Sequence, residues 1–179
     1  MKRVTYIVST HMLTGDLWHV SLSLGYLTSK QRLLWVLKRG GLREADIARK
    51  LHVSRVTVNK AVARANLKVG EALEETAQLN KIEIETVDAA KGFLSGYSPH
   101  FKTQAFVTFS AKNGVQVWYK HEGNCEKCSR LKACRDILLA EAEERRFLIT
   151  EDPSRILPSR LANVLFSKIK EEHEKHGSS

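Results

Sequence analysis

All three cysteines of the chain fall in one stretch, HEGNCEKCSRLKAC at residues 121–134, headed by a histidine. The spacing is His-x3-Cys-x2-Cys-x5-Cys. In a Cys-x2-Cys knuckle both thiolates can point at one ion. A third thiolate five residues on, at a helix start, can complete a face, and a histidine ending a strand can supply a fourth donor. Zn2+ takes four such ligands at about 2.0–2.3 Å in a tetrahedron, and Cys3His is an established set. Cys125, Cys128, Cys134 and His121 are the candidate ligands, with Lys120, Lys127, Arg130, Lys132 and Arg135 placed to offset thiolate charge. Two other readings stay open. One is a [4Fe-4S] cluster, for which His121 or a distant group would take the fourth place. The other is unligated thiols with a Cys-x2-Cys redox pair. An odd number of clustered cysteines suits a metal better than a disulfide framework and fits a reducing cytoplasmic setting.

A second constellation lies at residues 44–63, EADIARKLHVSRVTVNKAVA. Ile47 and Val58 are apolar where two helices would seal together, Ala48 is small where they would cross, and Leu51 plugs the same core. Ser54 is placed to cap the second helix by accepting a backbone N–H. His52 occupies the turn between them, where glycine is usual. Histidine is among the residues that tolerate a left-handed backbone. Arg55, Thr57, Asn59 and Lys60, with Arg64 beyond, face outward and carry groups suited to base edges and phosphates. Arg43, Arg49 and Lys50 would flank a nucleic-acid backbone.

Charge supports that assignment by its distribution. The chain is +9 overall, yet residues 1–70 hold thirteen Lys/Arg against three Asp/Glu, so the remainder sums to about −1. A polyanion is the partner such an imbalance implies. No apolar run is long enough to span a membrane, and the N-terminus lacks the pattern of a signal peptide. A cytoplasmic protein without a membrane partner is expected. No Ser/His/Asp set, phosphate loop or paired carboxylates with motif context appears, so no enzyme activity is expected.

The elements that must position these residues follow from periodicity. Residues 28–39 read as a helix capped by Thr28 and stopped by Gly40-Gly41, with Leu33, Leu34 and Leu37 as its apolar stripe. A second helix spans 43–51. A third starts near Arg55 and runs to about residue 80, with Val58, Val62, Ala65, Val69, Ala72, Thr76 and Leu79 at steps of four and three. That seam serves internal packing or a break at Gly70, with a dimer zipper as the rival. Residues 82–95 read as helical, or as a strand turning helical at Asp88. Residues 105–110 and 115–119 flank Asn113-Gly114, the strongest short-range hairpin signal. A helix at 136–146, a connector bracketed by Pro153 and Pro158, and a helix at 161–174 complete the chain. Residues 4–10 and 17–24 are β-rich and could pair as a hairpin.

Residues 27–80 resemble the helix-turn-helix of LuxR-type regulators and sigma-factor region 4, and most closely the archaeal Tfx family of DNA-binding proteins. The resemblance is carried by Leu27-Thr-Ser-Lys-Gln-Arg32, by residues 39–48 (RGGLREADIA) and by residues 51–60 (LHVSRVTVNK). It implies a prokaryotic, archaeal transcription regulator that reads bases with Arg55, Thr57, Asn59 and Lys60 and caps that helix with Ser54. It does not extend to residues 81–179. The cysteine spacing separately resembles that of several four-iron proteins, including WhiB-like regulators and some nucleases, which hold a fourth cysteine elsewhere in the chain.

The expected fold is α+β and mainly helical. Residues 1–80 form a helix-turn-helix domain with an N-terminal β-element, and residues 81–179 an α+β module with a β-hairpin and a Cys/His metal knuckle. The expected function is sequence-specific binding of double-stranded DNA by a homodimer. The metal module either holds the fold (zinc) or reports redox state (iron–sulfur). The rivals are a nucleic-acid-processing enzyme anchored by the helix-turn-helix and an adaptor that docks on a protein such as RNA polymerase.

Overall fold

The structure, a computed structural model, describes residues 4–9, 26–122 and 124–177. Five antiparallel strands form one sheet in the order β1-β5-β4-β3-β2. Strands β2 (Glu83–Asp88), β3 (Phe93–Ser98), β4 (Thr103–Ser110) and β5 (Gly114–Glu122) follow one another as a meander, and β1 (Val4–Ser9) adds to the far side of β5. Between β1 and β2 run helices α1 (Ser29–Arg39), α2 (Glu44–Lys50) and α3 (Arg55–Leu79). After the sheet come a 3-10 turn (Cys125–Lys127), α4 (Leu131–Glu144) and α5 (Pro158–Gly177). The α+β class is as expected. No helix among the described residues is long and apolar enough to cross a membrane.

Strand alternation places the two faces of the sheet in different cores. Leu94, Ala105, Val107, Phe109, Val117 and Tyr119 pack under α3 against Ala65, Val69, Leu73 and Ala77. Phe93, Phe106 and Trp118 point the other way, into α4 and α5, against Leu138, Leu161, Leu165 and Phe166. Each fully buried side chain of this size stabilises the fold by about 1.5–3 kcal/mol relative to an exposed one. The one polar atom of Trp118 is satisfied inside, since its indole Nε1 donates to Thr108 Oγ1 at 3.1 Å. A third, smaller core joins Leu34, Ile47, Ala48, Val58 and Val62 of α1, α2 and α3.

Several boundaries differ from the sequence expectation. Residues 82–95 contain no helix; they form β2, a turn and the start of β3. Their apolar spacing is ambiguous because β2 is an edge strand with a register shift between Ile84 and Thr86, so its alternation is broken. Strand β1 pairs with β5, from Val4↔Glu122 to Ser9↔Val117, while the proposed hairpin partner at 17–24 lies outside the described residues. Helix α4 begins at Leu131, five residues earlier than expected. In α1 the buried pair is Leu34 and Trp35, and Leu33 is exposed. Trp35 packs edge-on to Phe109 at 5.4 Å, so the sheet decides which face of α1 turns inward.

Helix α3 passes through Gly70 without a break and is buried by its own chain along both halves. Its inward row is Val58, Val62, Ala65, Val69, Ala72, Leu73 and Ala77, with Leu79 left exposed. A straight helix of 3.6 residues per turn drifts off a seven-residue seam, which accounts for Leu79 falling outside the row. The Asn-Gly hairpin forms as expected, with Gly114 at φ 66, a left-handed backbone that glycine adopts at no steric cost.

Candidate functional site

Helix α1 starts with a capping box. Thr28 Oγ1 accepts from Gln31 N at 3.3 Å, and Gln31 Oε1 accepts from Thr28 N at 3.0 Å. Ile47 and Ala48 of α2 and Val58 and Val62 of α3 are buried together, as their types require. Between the helices His52 takes φ 51, the left-handed conformation expected of the residue in the glycine position. Ser54 Oγ then accepts from Thr57 N at 3.0 Å and caps α3. Thr57 Oγ1 sits 2.8 Å from that same oxygen and is half-buried, so its hydroxyl is engaged at the cap.

Arg55, Asn59, Lys60 and Arg64 lie exposed along the first three turns of α3. No acidic residue occurs between Asp46 and Glu71. The flanking cations Arg43, Arg49 and Lys50 are exposed on α2 and its N-cap. Two acids, Asp46 and Glu44, organise them. Asp46 accepts from Arg43 Nε at 2.8 Å and also binds Arg49, which holds its carboxyl below the usual range and pushes Arg43 up. Glu44 reaches Lys38 at 3.2 Å and Arg55 at 3.7 Å. Lys38, Arg43, Glu44, Ala45 and Arg55 line an open groove of about 430 Å³ where the three helix ends meet. Asp46 stands three residues from both Arg43 and Arg49, a helix spacing legible in the sequence. The Glu44–Arg55 contact needs the turn of the chain.

The cysteines occupy the link from β5 to α4. Asn124 Oδ1 caps the 3-10 turn by accepting from Glu126 N at 3.0 Å, and Cys128 N donates to Cys125 O at 3.1 Å. The turn therefore brings Cys125 and Cys128 side by side in the chain, half-buried and exposed respectively. Cys134 lies in the first turns of α4 and is buried in the α4–α5 core. None of the three is in a disulfide. His121 stands near the end of β5, its backbone opposite Thr5, and its side chain lies outside the described residues. Among the described residues no three His, Cys, Asp or Glu side chains converge as a metal site.

The far end of α4 carries a buried charge network. Arg39, the last residue of α1, pairs with Glu144 and donates from Nη1 to Phe109 O at 3.0 Å. Its guanidinium lies 4.4 Å from the Trp35 ring centroid. Glu144 also accepts from Ala111 N at 2.9 Å, in the β4–β5 turn. Arg145 pairs with Glu141 at 2.9 Å and donates to Lys91 O and Gly92 O in the β2–β3 turn. Burial pulls Arg39 down to about 10, which leaves it a cation at neutral pH.

The chain matches no protein-family model, no curated protein and no solved structure among those compared.

Proposed function

We propose that this chain is a sequence-specific regulator that binds double-stranded DNA, with α2 and α3 as a helix-turn-helix. The observation that carries the reading is the first three turns of α3. Arg55, Asn59, Lys60 and Arg64 are exposed there, beside Arg43, Arg49 and Lys50, with no acid between Asp46 and Glu71. A major groove accepts one helix, and Arg and Asn are the side chains that read guanine and adenine by paired hydrogen bonds. Lys50, Arg64 and the α2 arginines then serve phosphates and make affinity salt-dependent.

Selection of bound duplexes from a random library, followed by anisotropy titration, tests this. Arg55→Ala and Asn59→Ala are expected to cost about 1–3 kcal/mol each on the selected site and to relax specificity. Lys50→Ala is expected to weaken all sequences alike and to reduce the salt slope by about one. Absence of any enriched sequence, or unchanged affinity in both specificity variants, overturns the reading.

The cysteine turn is read as a metal site that closes around its ion, with Cys125 and Cys128 as the knuckle and Cys134 and His121 as further donors. Thiolate and imidazole sets suit zinc or an iron–sulfur cluster, and metal binding often orders the site that receives it. Zinc would supply a fixed cross-link between β5 and α4, whereas a cluster would add redox sensitivity. Metal analysis of protein purified without oxygen separates them: about one zinc in a colourless sample, or iron in a brown one. Protein without either metal overturns the assignment.

A further inference from the structure

Helix α3 carries an outward stripe that nothing among the described residues covers. Val56 and Leu67 stand 62% and 68% exposed. Lys60, Ala63, Glu71 and Glu74 share the stripe at steps of three and four, and Arg64 borders it. Lys60, Arg64, Glu71 and Glu74 are all exposed, and none of them enters an ion pair among the described residues. Their charges are segregated about Leu67. The cations lie on its N-terminal side and the acids on its C-terminal side, with Lys60 and Glu74 each seven residues from it.

Seven residues are close to two helical turns, so Lys60, Leu67 and Glu74 lie nearly in line. We propose that a second copy of this chain covers the stripe, α3 against α3 and antiparallel, about a two-fold axis at Leu67. Such an isologous contact meets itself. Lys60 of each copy faces Glu74 of the other, Arg64 lies beside Glu71, and the two Leu67 side chains meet over the small Ala63 positions. A parallel arrangement would set like charges together. The pairing rests on the charges and exposure of α3 alone. It has one consequence that rests on the DNA reading: Lys60 and Arg64 cannot serve both partners, so DNA and the second copy compete for the helix, and this pair is not the homodimer expected to bind DNA.

Light scattering and sedimentation of the full chain in low salt test the pairing without DNA. A dimer is expected at about 100 µM, the range of a small transient interface, weakening as salt rises. The double variants K60E/R64E and E71K/E74K, with folding checked by circular dichroism, are each expected to self-associate at least about tenfold more weakly. Their equimolar mixture is expected to recover the dimer, because the two altered faces complement each other. A monomeric wild-type chain, undiminished association in both variants, or a mixture that stays monomeric overturns the proposal. Failure to bind DNA would count against the DNA reading and leave these measurements untouched.

Discussion

One hydroxyl starts the helix that both faces of the candidate site share. Ser54 satisfies an N–H of the first turn of α3, and Ser54→Ala is expected to cost about 1 kcal/mol, lowering the melting temperature by about 2–4 °C. Asp46 works at the same scale. Hydrogen bonds from Arg43 and Arg49 hold its carboxyl below the ordinary 3.8. Any support the clamp gives is thus complete above that pH and fades as the pH falls through the depressed folded value. A carboxyl carbon titration by NMR should place the Asp46 midpoint below 3.8, and an ordinary midpoint would show that the clamp does not persist in solution. Gly92 adopts φ 60, and a Cβ there would stand 2.8 Å from Phe109 O and 2.9 Å from the Trp35 ring. Alanine is a poor replacement on both counts, so chemical denaturation of Gly92→Ala should show a clear loss of stability.

Helix α4 has different business at its two ends. Its first turns hold Cys134, next to the cysteine turn, and its last turn holds Glu144, which grips both Arg39 of α1 and the β4–β5 turn. A rigid helix therefore spans the distance between the cysteines and the three-helix unit. Removing one partner of a buried pair leaves the other uncompensated, at a cost of about 3–5 kcal/mol, whereas replacing both by apolar groups can be near neutral. Glu144→Leu and Arg39→Met should each shift the urea midpoint strongly, and the double variant that combines them should recover part of the loss. Additive losses would mean that the pair is not a coupled unit.

Across the molecule, α3 ties the parts together. Its N-terminal half closes on α1 and α2, and its C-terminal half lies on the sheet, so the boundary drawn at residue 80 falls at the end of an element that serves both. Trp35 and Trp118 report from opposite faces of the sheet. Tryptophan fluorescence and far-ultraviolet circular dichroism should thus give one coincident unfolding transition. Two separated transitions would show that the residues around α1 and α2 unfold independently of the sheet.

Local chemistry was readable along the chain. Thr28 and Ser54 mark helix starts because a cap needs one side-chain oxygen and the next few residues. Ile47, Ala48, Leu51 and Val58 declare a shared core by spacing alone, with Leu51 partly buried against the others, and Asn113-Gly114 declares its turn. Arg55, Asn59, Lys60 and Arg64 are exposed as expected, whereas Thr57, expected to face outward with them, is half-buried at the Ser54 cap. What needed the tertiary structure was everything set by distant partners. Strand β2 has no clean alternation at a sheet edge, so residues 82–95 read equally well as helix. Trp35 turns inward because Phe109, far along the chain, lies beneath it. Arg39 and Glu144 are ordinary surface charges in sequence and become a buried pair only when α1, α4 and a strand turn converge. Periodicity measures the side of an element that avoids water, and carries no record of which other element it will meet.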